Sequence, residues 1–257
     1  MRDPHPPCEA PPVEREQISR LAHADHPIAA PLDDESVGRL LARAVPGDGA
    51  RVLDLGCGGG EWLLRALAEY PRLTAEGVDV SEAALDHARA SAARLGVADR
   101  LTLHRREAAG FSASHRFDLV LCVGATHAFG GLTATLAAAR DHLAPGERLL
   151  VGDGFWEHDP SPEAIEMLGD LSDLPTTLDR VVAEGWTPVG GHISTRGELD
   201  AYEWAWTGTL AAWALDHPTH PDRAQALEAA TAHRDGWLRG YRDSFGFLCL
   251  VLRPTHA

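Results

Sequence analysis

The run Arg51-Val-Leu-Asp54-Leu-Gly56-Cys-Gly58-Gly-Gly60 holds a carboxylate inside a short apolar strand, with three glycines at alternate positions behind it. Glu61 then opens a helix. A strand that ends in glycines and turns straight into a helix lets a ligand lie against bare backbone. A dinucleotide loop needs glycine at its first, third and sixth places, and the sixth place here is Glu61. A phosphate-cradling loop ends in Gly-Lys-Ser/Thr, and this chain contains no lysine. Asp79 stands 25 residues after Asp54, in Gly77-Val78-Asp79-Val80. A carboxylate at that strand end can accept both hydroxyls of a ribose.

Further along, His127 follows an apolar run at 117–122. A neutral imidazole there can accept a proton from a hydroxyl, thiol or ammonium, or simply hydrogen-bond a loop carbonyl. His23, Asp25 and His26 are metal-ligand types at close spacing. With no fixed helical register and no further ligand nearby, they are read as part of a lid, and no metal is expected.

These groups need a scaffold. From Arg51 onward strands and helices alternate, which is the pattern of a doubly wound, mostly parallel α/β sheet. Strands are expected at about 51–55, 74–80, 101–104, 117–122 and 148–152. Helices are expected at about 60–69, 81–95 (Ser81 capping, Gly96 stopping) and 131–143. Before them, residues 14–23 read as a short helix and 36–45 as another. Beyond Gly152, residues 154–185 read as an acidic, proline-punctuated stretch with one helix at 178–184. A strand near 187–194 follows, and Thr195-Arg-Gly-Glu198 reads as a capping box that opens a long helix. Its apolar side is expected to be Leu199, Tyr202, Trp206, Leu210 and Trp213. A second helix at 221–240 and a last strand at 245–252 complete seven strands, with a helical insertion before the last.

Asp-x-Gly-x-Gly-x-Gly over Asp54–Gly60, with Asp79 at the end of the second strand, resembles the class I S-adenosylmethionine (SAM)-dependent methyltransferases. Phe117-Asp-Leu-Val-Leu-Cys122-Val123 and Leu143-Ala-Pro-Gly146 resemble two further motifs of that family, so the likeness covers about residues 50–153. The resemblance implies a Rossmann-like fold with SAM as cofactor, bound by Asp54, Gly56, Gly58, Gly60, Asp79, Val80, Glu107, Ala108 and Val123. In that family Asp54 orders the loop around the methionine end, Glu107 faces the adenine amino group, and the carbonyls near Val123 meet the ammonium. The His23–Pro31 lead-in resembles bacterial small-molecule methyltransferases that fold an N-terminal segment over the site. The catalytic side chain is then expected to be His127, and the acceptor pocket to draw on Trp156, His158, Tyr202 and Trp204. For Trp206 and Trp213 the reading is helix-to-core packing.

The domain plan is a Pro-rich tail at 1–15 and one methyltransferase domain over 16–257. Within it lie an N-terminal lid (16–49), a cofactor-binding half (50–153) and acceptor-side segments (154–244). The net charge of −15, from 38 acidic residues against 23 arginines, opposes nucleic-acid substrates. The base-amine signature Asn/Asp-Pro-Pro-Tyr/Phe is replaced here by Gly124-Ala-Thr126-His127. Four scattered cysteines with no Cys-x-x-Cys pair, no signal peptide and no run long enough to cross a bilayer give a cytoplasmic expectation, as monomer or homodimer. The expected activity is transfer of a methyl group from SAM to an O, N or S atom of a small molecule. Its rivals are a non-methylating reaction on the same fold, such as decarboxylation or rearrangement, and a non-catalytic SAM-binding partner protein.

Overall fold

The computed structural model describes residue 18 and residues 21–256. The expected tail at 1–15 and most of the expected helix at 14–23 lie outside the described residues. Seven strands form one sheet in the order β3-β2-β1-β4-β5-β7-β6. They are β1 (Arg51–Leu55), β2 (Thr74–Asp79), β3 (Leu101–Arg105), β4 (Phe117–Val123), β5 (Leu143–Trp156), β6 (Trp186–Ile193) and β7 (Phe245–Pro254). All neighbouring pairs from β3 to β5 run parallel, and β7 is antiparallel to both β5 and β6. Chain order reverses between β1 and β4, which opens a crevice at the carboxyl ends of these strands, where ligands of doubly wound sheets bind.

Helices α1 (Asp34–Ala44), α2 (Glu61–Glu69) and α3 (Glu82–Leu95) cover one face. There Val37, Leu40, Leu63 and Leu85 meet strand residues such as Leu119 and Leu150 in one core. On the other face, α4 (Leu132–Arg140) and α6 (Leu174–Ala183) bury Leu136, Ala139 and Val181 against Leu53, Val120 and Trp186. Local signals set the helix ends. Ser81 Oγ accepts from the Ala84 amide at the start of α3, and Gly96 ends it in the left-handed region.

The acceptor-side half departs from the sequence reading in three places. First, β5 runs from Leu143 to Trp156, well past Gly152, because Leu149–Trp156 pairs antiparallel with Phe245–Leu252. Gly152 and Gly154 do not break it. An added Cβ at these positions would come within 2.7 Å of Val123 and 2.6 Å of Phe245, so the glycines make room for neighbouring side chains. Second, residues 154–185 contain two helices: α5 (Pro162–Leu168) as well as α6. Each carries proline in its first turn behind an N-cap, Ser161 or Asp173, so the prolines start helices and do not interrupt them. Third, the helix expected at 221–240 is α8 (Arg223–Gly236) followed by a π-helical turn, Trp237–Tyr241.

The long helix α7 (Arg196–Asp216) opens with the expected capping box. Its buried line, however, is Glu198, Leu199, Glu203, Thr207, Leu210 and Ala214. Tyr202, Trp206 and Trp213 are only half-buried. Alanine-rich α8 packs against α7, and Ala22 of the N-terminal segment joins the same cluster as Leu210 and Ala226.

Candidate functional site

The glycine turn after β1 is built around backbone geometry. Gly56, Gly58 and Gly60 all take positive φ (+87°, +50° and +77°), which side-chain-bearing residues rarely adopt. The three differ in what surrounds them. A Cβ at Gly56 would lie 2.4 Å from that of Ala125, in the loop after β4, and one at Gly60 would lie 3.1 Å from that of Ala88 in α3. At Gly58 it would meet nothing within 4 Å. Gly56 therefore joins the β1 and β4 loops, Gly60 seats the helix, and Gly58 alone presents backbone to open space.

The carboxylate at the end of β2 completes this cradle. Asp79 Oδ2 accepts from the Gly58 amide at 2.8 Å, and Oδ1 accepts from the Ser81 amide at 2.9 Å. Beneath them Asp54 is buried on β1. Burial and the nearby Asp79 charge push its carboxyl up to about 7. The same surroundings push the neighbouring Cys57 thiol up, leaving it an unreactive apolar filler. Around the rim, Val80 is exposed, Glu107 is exposed beside the buried Ala108, and Val123 is half-buried at the end of β4. A half-buried carboxylate, open backbone at Gly58 and a buried acid below form a donor set that fits the ribose and methionine ends of SAM. Asp54 and Asp79 stand on the adjacent strands β1 and β2, and the glycine turn lies at their carboxyl edge.

His127 lies in a short helical turn, Thr126–Phe129, directly after β4, and is exposed. The structure adds a nearby carboxylate that the sequence did not reveal. Burial raises the Asp153 carboxyl, inside β5, while the Gly154 amide, the Thr126 side chain and, last, the charge of His127 pull it back down. Its position in an apolar strand between two glycines carried no signal of this proximity.

The N-terminal segment closes over this edge. Ala29 holds φ +53°, and its carbonyl lies 3.8 Å from where a Gly124 Cβ would be. Among the described residues it is the one non-glycine in that region, a strained position that the lid's packing maintains. Asp25 accepts from the Thr209 hydroxyl of α7 at 2.8 Å, tying the segment to the helical insertion. His23 and His26 stand 5.7 Å and 5.4 Å from the Tyr202 ring. Burial is the main cause holding both histidines below their ordinary value, His23 down to about 4, so both are neutral at pH 7.

Of the other expected acceptor residues, His158 is exposed and Trp204 faces solvent with its edge against Trp237. Trp156 is buried with Ala164, Trp237 and Tyr241, and its indole N–H has no partner. The sequence reading did not find the bonding around the buried Glu203. Glu203 accepts from the Tyr241 hydroxyl at 2.8 Å and from His233 Nε2 at 2.7 Å. Among the described residues, no group of three or more ligating side chains could hold a metal ion, and no helix is long and apolar enough to cross a membrane.

Residues 52–146 match the methyltransferase domain family. The structure of a SAM-dependent methyltransferase from Geobacter sulfurreducens in complex with S-adenosyl-L-homocysteine is similar to this fold. It superposes with a TM-score of 0.84 at 27% identity, covering 93% of this chain and 98% of that one. The chain is 28% identical over 240 residues to the protein YjhP of Escherichia coli, covering 90% of this chain and 95% of the relative. A ubiquinone biosynthesis O-methyltransferase of Aromatoleum aromaticum is 33% identical over 144 residues, 53% of this chain and 60% of that protein.

Proposed function

This chain is a class I SAM-dependent methyltransferase, and on that premise we propose that its acceptor is a small molecule methylated on O, N or S beneath the N-terminal lid. The observation that carries the reading is the clamp of residues 22–32 across the carboxyl edge of the sheet. Asp25 fixes it to α7, and Ala29 brings it over Gly124. An acceptor confined under such a strap must be small. The excess of acidic residues over arginines adds to this by repelling a phosphate backbone.

Bound SAM supplies an electrophilic methyl group on a sulfonium. The residues that would hold it are Asp79 at the ribose, Gly58 at the open backbone, Asp54 beneath the methionine end, Glu107 with Ala108 at the adenine, and Val80 and Val123 at the rim. Gly56 and Gly60 shape the turn. The chain's main contribution to rate is orientation, since holding the acceptor atom in line can remove roughly 7–11 kcal/mol of barrier. On this reading His127 takes the acceptor proton, with Asp153, whose carboxyl feels the His127 charge, nearby. Tyr202, with Trp156, Trp204 and His158 around the same end of the sheet, belongs to the acceptor side.

Calorimetric titration with SAM and S-adenosylhomocysteine, followed by an acceptor screen read as a mass gain of one methyl, tests this. Binding of both ligands with a methylated small molecule is the expected result. A product of changed mass without a methyl gain would mean the same fold runs a different reaction, and the proposal would be wrong.

A further inference from the structure

We propose that the solvent-facing side of α7 is a pairing surface for a second copy of this chain, the two helices running antiparallel and crossing at Gly208. At about 100° per residue, Ala201, Trp204, Ala205, Gly208, Ala212 and Leu215 all project within about 60° of the Gly208 direction. Apart from the half-buried Ala205 they are exposed, Trp204 at 55% and Leu215 at 62%. The other sides of the helix are taken. Leu199, Glu203, Leu210 and Ala214 are buried, and Thr209 holds Asp25 of the N-terminal segment. Residues 201–215 include one charged side chain, Glu203, and it faces inward. A surface helix ordinarily turns charged and polar residues to water, and one that is apolar all round is buried.

The extent of the face suits a protein partner. These six residues offer roughly 400 Å² to water, about half of the ~800 Å² that each partner gives to a standard interface. The surface continues at its Trp204 end. There Trp204 sets its edge against Trp237, the exposed Leu238 follows in the chain, and the exposed Met167 lies against Gly236 and Gly240 of the same turn.

The pattern along the face points to a second copy as the occupant. Gly208 stands midway between Ala201 and Leu215 and between Trp204 and Ala212, and a Cβ on it would meet nothing within 4 Å. A two-fold axis at Gly208 therefore brings two helices together at their narrowest point, as an isologous contact requires. It also sets large residues at the level of small ones, Trp204 beside Ala212 and Leu215 beside Ala201. Charge favours the same direction. α7 ends on Asp216 with no basic residue in its last turn, so its dipole is left uncompensated there. The antiparallel arrangement lays that end beside the partner's positive N-terminal end, where Arg196 stands and Arg242 already neutralises Asp200. Parallel helices would instead set Trp204 against Trp204 and Asp216 against Asp216.

Sedimentation and cross-linking of the full chain test this. Wild type is expected to sediment at twice the chain mass at micromolar concentration, and Gly208→Glu as a single chain. Glutamate is the better helix former at an open helical position, so the variant should keep its melting temperature and its S-adenosylhomocysteine affinity. In a Cys8→Ser background, Gly208→Cys should form a disulfide-linked dimer on mild oxidation, because the two positions meet at the axis. Ala201→Cys should not, because antiparallel pairing holds its two copies about 21 Å apart. A monomeric wild type, a dimer that survives Gly208→Glu, or linkage through Ala201→Cys in place of Gly208→Cys would each overturn the pairing. Wild type that dimerises only after residues 1–17 are removed would overturn it too, giving the face to that segment.

Discussion

Asp79 and Gly58 are joined by a 2.8 Å hydrogen bond from the glycine amide to Oδ2, so the carboxylate that ends β2 fixes the turn that ends β1. The two features that identify the site in the sequence are therefore one mechanical unit. A cofactor ribose that engages Asp79 engages a group already oriented, with its second oxygen held by Ser81. Preorganisation of this kind reduces the ordering required on binding.

Asp79→Ala removes the proposed ribose acceptor and loosens the Gly58 turn together. Loss of hydrogen bonds to a charged group is expected to weaken SAM and S-adenosylhomocysteine binding by about 1–3 kcal/mol. Calorimetry reads this directly, and an affinity within twofold of wild type would remove Asp79 from the site.

Gly58→Ala separates the needs of the fold from those of the ligand. Alanine at φ +50° carries a backbone strain of about 1–2 kcal/mol but meets no atom of the protein. Gly96→Ala, at φ +69° and equally open, carries the same strain far from the cradle. Both variants should lose similar thermal stability, and only Gly58→Ala should also lose SAM affinity. Equal affinities would mean that the backbone at Gly58 meets no ligand.

How far the sequence could be read follows the range of the interactions. β1 to β4 and the cradle were legible because Asp54, the glycines and Asp79 act through local turns whose residue types are required by backbone geometry. The acceptor half was less so. Gly152 and Gly154 look like strand breakers until β7 is known to lie beside them. Helical periodicity placed Tyr202, Trp206 and Trp213 inward, yet Glu203 and Thr207 take the buried line. A buried glutamate is tolerable only because His233 and Tyr241 arrive from another helix and a π-helical turn, and no pattern within α7 encodes them. Asp153 was hidden for the same reason, since His127, whose charge it feels, lies on a neighbouring strand's loop.

Asp54 and His23 should give the stability profile opposite slopes. The folded-state pKa of Asp54 is raised from 3.8 to about 7, so its contribution is fully present below about pH 4 and is lost as pH rises toward 7. His23 is lowered from 6.5 to about 4, so its contribution is present above pH 6.5 and is lost as pH falls toward 4. Chemical denaturation at several pH values across this window should show Asp54→Asn shifting the slope upward with pH and His23→Gln shifting it downward. The same sign for both variants would contradict one of the two burial assignments.

His127 and Asp153 make the proton-transfer step testable apart from binding. If His127 takes the acceptor proton, His127→Ala leaves SAM affinity nearly unchanged and lowers turnover by about 10²–10⁴-fold, the usual contribution of a general base. Asp153→Asn should lower turnover by less, because it removes only the charge beside the imidazolium. His127→Ala with wild-type turnover at every pH would show that the acceptor loses its proton elsewhere. An Asp153→Asn variant with wild-type turnover would mean that the two residues are neighbours without a shared task.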